Sequence, residues 1–194
     1  MTGVDESWEK VVFGEKYRRM ISSGKEVDIT EHNVGVLVRT CTKLGYDIVR
    51  PVFVPDGLRA LQIAKRIAPD LLVMGSTGGT LGIPDGSNMA KIVKRVYTDL
   101  RTVAMEMRER VEASIEGIRM QVDAGADVVV DCTDFCLKEG PFFKPSIYKE
   151  LIFPHLKMMV DAAHKKGIHF IMHTDGNLWP ILENLISTGI DALH

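Results

Sequence analysis

The sequence predicts an α/β fold, an incomplete (β/α)8 barrel with about five strands present. Short apolar runs rich in β-branched residues alternate with longer segments of helical periodicity, the pattern of repeated strand-helix units. Two of the runs, Val128-Val129-Val130 and residues 168–172, stop at polar clusters. The first stops at Asp131, Asp134 and Gly140-Pro141, the second at His173, Asp175 and Gly176. In a parallel barrel, side chains at the carboxyl ends of strands point into the mouth where substrates bind. A closed eight-stranded barrel needs about 250 residues. This chain of 194 residues supplies five strands, so it reads as truncated, a piece of a longer enzyme. An open five-stranded sheet of flavodoxin-like winding is the rival, and it accounts for the length without truncation.

Taken in order, residues 1–30 are charged and read as an irregular amino-terminal segment, with a short element over residues 8–13. A helix follows over residues 31–44 and stops at Gly45, and residues 48–54 read as a strand. Residues 58–67 form a second helix and residues 70–74 a second strand, which opens into the glycine-rich loop of residues 75–82. Over residues 88–123 apolar side chains recur at helical spacing, as two helices or one bent helix closed by Gly125. The third strand, residues 127–131, leads through a polar loop to a helix over residues 146–165 that ends at Gly167. The fourth strand is residues 168–173. Asn177 then caps a helix running to residue 188, with Pro180 in its first turn and Gly189 after its end. Residues 190–194 begin a fifth strand. The whole chain, residues 1–194, is read as a single partial barrel domain.

Composition narrows the function classes. The chain is 45% hydrophobic, enough for a sizeable core, and its 24 basic and 26 acidic residues leave a net charge of -2. The charges are spread along the chain, which argues against nucleic acid or an anionic membrane surface and for a small-molecule site. No apolar run approaches the roughly 20 residues that span a bilayer, and the amino terminus lacks a secretion signal, so a cytoplasmic protein is expected. Three cysteines, Cys41, Cys132 and Cys136, make an odd number without the spacing of a disulfide framework, which fits free thiols.

Asp131 and Asp134 lie at one strand end and in the loop after it, where paired carboxylates orient a substrate, share a proton or join a metal shell. The plainer reading is turn chemistry, which aspartate favours. His173 at the next strand end is a candidate catalytic imidazole, against a structural hydrogen-bonding role. Asp175 is tied to the same reading, with capping of the following helix as its alternative. Gly176 and Asn177 continue this mouth and are candidates for substrate contact. Gly78 and Gly79 in the glycine-rich loop bring backbone N–H groups close to a substrate carboxylate or phosphate, or simply make the loop flexible. That loop has neither a phosphate-binding lysine nor the dinucleotide pattern. Cys132 and Cys136 invite a reading as metal ligands with His173. Alternation points Cys132 away from the face of Asp131, however, and buried cysteine is usually a small apolar residue. His164 and His169 fall at the amino-terminal end of a strand and take no role. Met105, Met107, Met158 and Met159 read as core filler.

The series G-A-D-V-V-V-D from Gly125, D-F at Asp134, G-P at Gly140, a helix start between Pro145 and Pro154, and H-x-D-G-N at His173 resembles the uroporphyrinogen decarboxylase superfamily. The pattern is similar to its branch of corrinoid-dependent methyltransferases. The resemblance covers residues 44–194 and is strongest over residues 125–194. It implies a TIM barrel in which zinc, held by H-x-C and a later cysteine, binds a thiol acceptor that takes a methyl group from a methylcorrinoid (cobalamin-type) protein. His173 matches the histidine of that motif, and Asp175 stands where the cysteine is expected, so the implied zinc ligands here are His173 and Asp175. Carboxylate in place of thiolate leaves the metal more Lewis acidic. Two alternatives stand beside methyl transfer. One is a metal-independent porphyrinogen decarboxylase, although Arg18 and Arg19 do not match the arginine-rich segment such enzymes use. The other is a non-catalytic half-barrel that binds a corrinoid or tetrapyrrole partner, or that self-associates as a homo-oligomer to cover its sheet edges.

Overall fold

The computed structural model describes residues 14–194, so the element expected over residues 8–13 lies outside the described residues. The described residues divide into two compact units, one of residues 14–75 with 123–127, the other of residues 76–122 with 128–194.

In the first unit, α1 (Gly14–Ser22) and α2 (Glu26–Leu44) occupy much of the segment expected to be irregular. α1 is so polar that its charges had masked an amphipathic helix. α2 ends where Gly45 takes a left-handed conformation (φ 69°) and its N–H meets the carbonyls of Cys41 and Thr42. The first strand, β1 (Ile48–Val49), is much shorter than residues 48–54. Pro51 offers no N–H to a ladder, and Phe53 has a positive φ of 57°. α3 (Gly57–Ile67) starts at Asp56, whose carboxylate accepts the N–H of Arg59 at 2.9 Å. β1 pairs in parallel with β2 (Leu72–Thr77). Val34, Val38, Val49, Leu61, Ala64 and Val73 build the core of this unit. Asp127 fastens it, accepting from Lys65 Nζ at 2.7 Å and from Val73 N at 2.8 Å.

The second unit carries α4 (Met89–Thr98) and α5 (Leu100–Asp123), two helices broken at Asp99, whose carboxylate accepts the N–H of Thr102 at 3.4 Å. β3 (Val128–Cys132) pairs in parallel with β6 (His169–His173), and β6 with β7 (Ala192–Leu193). Between β3 and β6 the polar loop folds into a small antiparallel hairpin, β4 (Cys136–Leu137) and β5 (Gly140–Pro141). A helix follows in three parts: α6 (Pro145–Ile147), a π-helical turn (Tyr148–Ile152) and α7 (Phe153–Lys165). The wide turn has a covalent cause: Pro154 has no N–H to continue the ladder, and Phe153 N reaches back five residues to the carbonyl of Tyr148. It directs Tyr148 inward, where its hydroxyl donates to the carbonyl of Phe135 and accepts from Phe143 N at 3.3 Å. The loop after β3 is thereby braced from beneath.

Helices cover one face of this sheet. Val129, Phe170 and Met172 join Met107, Val111, Leu156 and Met159 in one core. On the other face Val128 and Val130 are buried, Ile171 and His173 are half-buried, and Cys132 and His169 are exposed. The strands do not close into a barrel among the described residues, and the fold is the incomplete α/β barrel that the sequence predicts. Met107 and Met159 are core residues as expected, but Met105 is exposed. Among the described residues, no helix is long and apolar enough to cross a membrane.

Candidate functional site

The site grows out of the parallel register of β3 and β6, which sets Cys132 beside His173 and delivers two loops to the same end of the sheet. Four contacts lock these loops together. Phe135 N donates to Thr174 Oγ1 at 2.9 Å, and Asp175 N donates to Asp134 Oδ1 at 3.0 Å. Asn177 N donates to the carbonyl of Leu137 at 2.9 Å. Gly176, at φ +93°, packs so closely on β4 that a Cβ there would lie 2.6 Å from the carbonyl carbon of Cys136 and 2.7 Å from the oxygen of Leu137. No side chain fits at that position.

As a result Asp134, His173 and Asp175 converge, each offering one ligand atom within 4.8 Å of the others. His173 is half-buried and its Nε2 lies 3.9 Å from Asp175 Oδ1; both aspartates are exposed. On its other side, His173 Nδ1 lies 2.8 Å from Nδ1 of His194, the residue just past the neighbouring strand β7. Among the described residues this is the only group of three or more histidine, cysteine or carboxylate side chains placed to share an ion. One imidazole nitrogen and two carboxylate oxygens suit a divalent cation of hard to borderline character, and the exposure of the aspartates leaves coordination positions open for a ligand.

An open cavity of about 740 Å³ adjoins the cluster, with Asp175, Gly176 and Asn177 on one side and Lys138, Leu178 and Trp179 around the rest. Trp179 is 82% exposed. Sequence reasoning overlooked Trp179, Lys138 and His194. A bulky aromatic two residues past the strand-end motif was the available signal for the first, and the others had none. Asn177 does not cap a long helix as expected. Its Oδ1 accepts Trp179 N at 3.3 Å, and α8 is confined to Leu182–Ile186. The sequence of residues 178–181, with proline at 180, forms turns instead.

The other predicted residues sit elsewhere. Asp131 pairs in register with Met172, on the helix-covered face opposite His173, and is fully buried. Burial pushes its carboxyl up to about 6, although the hydroxyl of Thr133 donates to Oδ1 at 2.5 Å and favours the ionised form. Its Oδ2 has no partner among the protein atoms. Gly78 lies against this buried acid: a Cβ there would be 3.7 Å from Asp131 Oδ1, and the carbonyl of Gly78 accepts from the hydroxyl of Ser114. At Gly79 a Cβ would meet Ser114 Oγ at 2.9 Å and Val111 at 3.3 Å, so this glycine serves close packing on α5. The loop reaches the site only at its far end, where Ile83 N donates to the carbonyl of Asp134 at 2.9 Å. Cys132 is exposed and Cys136 buried, its thiol pushed up to about 11 by burial, and neither joins the cluster.

Comparison with known proteins agrees with this architecture. A methyltransferase from Methanosarcina mazei superposes with a TM-score of 0.69 at 15% identity, over 95% of this chain and 69% of that one. More distant are 3-keto-L-gulonate-6-phosphate decarboxylase from Vibrio cholerae (TM-score 0.48, 10% identity, 87% of this chain and 56% of that one) and N-acetylneuraminate lyase from Fusobacterium nucleatum (TM-score 0.45, 12% identity, 87% and 48%). No curated protein matches the sequence. The sequence profile of the uroporphyrinogen decarboxylase (URO-D) family matches residues 47–194, which include every residue of the site, and the chain belongs to that family.

Proposed function

We propose that this chain serves methyl transfer between a corrinoid protein and a small acceptor, with Asp134, His173 and Asp175 holding a divalent cation, zinc in the first instance. The convergence of one imidazole and two carboxylates at the strand ends carries the reading. A cation held there supplies Lewis acidity, which keeps a bound acceptor in its anionic, nucleophilic form near neutral pH.

The chain's own residues do the rest. Asp134 is oriented by the N–H of Asp175, which occupies Oδ1 and leaves Oδ2 for ligand or substrate. Gly176 and Asn177 hold the loop against β4, so the backbone that carries Asp175 is held beside the end of β6. The acceptor occupies the cavity beside Asp175, against the exposed indole of Trp179, with Lys138 facing any negative charge it carries. The corrinoid partner approaches the same open end. A cytoplasmic setting fits this chemistry.

Zinc content after equilibration and dialysis, with methyl transfer from free methylcobalamin to a small thiol, tests the reading. Wild type should retain zinc, and His173→Ala and Asp175→Asn should lose both zinc and turnover. Equal zinc content in wild type and His173→Ala would overturn it. Turnover of a porphyrinogen in the presence of chelator would move the assignment to metal-independent decarboxylation.

A further inference from the structure

The contact between His173 and His194 is the least expected feature of the site. Their Nδ1 atoms are 2.8 Å apart and the rings lie 5.0 Å apart at 40°. Two neutral imidazoles at that separation share one proton: one Nδ1 donates and the other accepts. The remaining nitrogen of each ring then has its state fixed, because a neutral imidazole carries one N–H. For His173 that nitrogen is Nε2, the one that faces Asp175.

We propose that His194 is a positioning residue that accepts the Nδ1–H of His173 and so holds the Nε2 lone pair of His173 toward Asp134 and Asp175. Two observations favour His173 as the donor, and a third holds the pair in place. Its Nε2 is 3.9 Å from Asp175 Oδ1, too far for a hydrogen bond to retain a proton on that nitrogen. His194 is exposed, so its own Nε2 keeps its proton in water and its Nδ1 is left as an acceptor. The pairing is also backed by the ladder: His194 N donates to the carbonyl of Met172 at 2.9 Å, which fixes the two histidines side by side. A histidine that ligates a cation commonly gives its second N–H to a carboxylate, carbonyl or water, a place that the imidazole of His194 takes here, and loss of such an acceptor costs about 10–100-fold in affinity. The tautomer assignment stands on the ring contact, the distance to Asp175 and the exposure of His194, and needs no cation; its use for a cation rests on the function proposed above.

The test uses the chain labelled with ¹⁵N-histidine, at a pH above the imidazole range, in wild type, His194→Ala and His194→Asn. Long-range ¹H–¹⁵N spectra report which nitrogen of His173 carries the proton, without any cation. Wild type should show Nδ1–H. His194→Ala should move to the Nε2–H form that water favours, and His194→Asn, whose amide oxygen lies near the lost Nδ1, should restore Nδ1–H. Zinc affinity, measured against a chromophoric chelator, should fall about 10–100-fold in His194→Ala and recover in His194→Asn. A proton on Nε2 of His173 in wild type, or a His194→Ala protein with unchanged tautomer, would overturn the proposal. A wild type that takes up no zinc would overturn the proposed function while the tautomer result still decides the role of His194.

Discussion

Asp131 offers the sharpest test of how this chain is built, because its cost can be worked from the structure. It is fully inside, between β3 and the helices, and only one of its oxygens has a partner, the hydroxyl of Thr133. Burial pushes its carboxyl from the ordinary 3.8 to about 6. In an unfolded chain the same group ionises near 3.8. As pH rises through that interval the unfolded state loses its proton first and is stabilised by ionising, whereas the native state is not. The native state is therefore favoured at low pH and loses stability up to about 6. At 1.36 kcal/mol per pH unit, the gap amounts to roughly 3 kcal/mol by neutral pH.

Asp131→Asn removes the charge and keeps the shape. The amide presents an unpartnered N–H donor much as the protonated acid presents an O–H, so the two proteins should be similar in stability near pH 4. By neutral pH the variant should be the more stable, by roughly 3 kcal/mol. Urea unfolding of both proteins at several pH values between these limits gives the difference directly, and every other titrating group cancels in it. Parallel stability profiles would show that Asp131 is hydrated or paired in solution, and the account of its burial would then be wrong.

Two further perturbations follow from contacts in the second unit. Gly176→Ala places a methyl group against the carbonyls of Cys136 and Leu137 at a φ of +93°, and should destabilise the fold by roughly 2–4 kcal/mol in urea melts while lowering zinc retention. A variant as stable as wild type would mean that the two loops are not docked. Asp191 at the amino-terminal ends of β6 and β7 presents the opposite case to Asp131. Its burial tends to raise the carboxyl, but hydrogen bonds from Phe170 N at 2.7 Å, His164 and His169 outweigh that and hold it at about 2. A depressed carboxyl stabilises above its unfolded value, so Asp191→Asn should be less stable than wild type at neutral pH, and the difference should close as pH falls from about 4 toward 2. A difference that persists at the acid end would point to packing rather than ionisation.

How far the sequence reached depends on the range of the interaction involved. Val128 to Val130 and residues 168–172 announce β3 and β6 because apolar periodicity is a local property, and the polar residues that end them are where a parallel sheet exposes its strand ends. Asp134, His173 and Asp175 were legible for that reason. Alternation also separated Cys132 from Asp131 correctly, yet it could not say which face the helices cover, and Asp131 proved to be on the covered one. The glycine at 176 reads as an ordinary turn residue, whereas its requirement comes from backbone some 40 residues earlier in the chain. The pairing of His173 with His194 depends on the β6–β7 register, in which Met172 lies opposite Leu193. A slip of one residue would turn His194 to the other face and leave the Nδ1 of His173 in water. The register of a two-residue strand thus decides which nitrogen of the central histidine is free, and such a dependence arises only when the strands assemble.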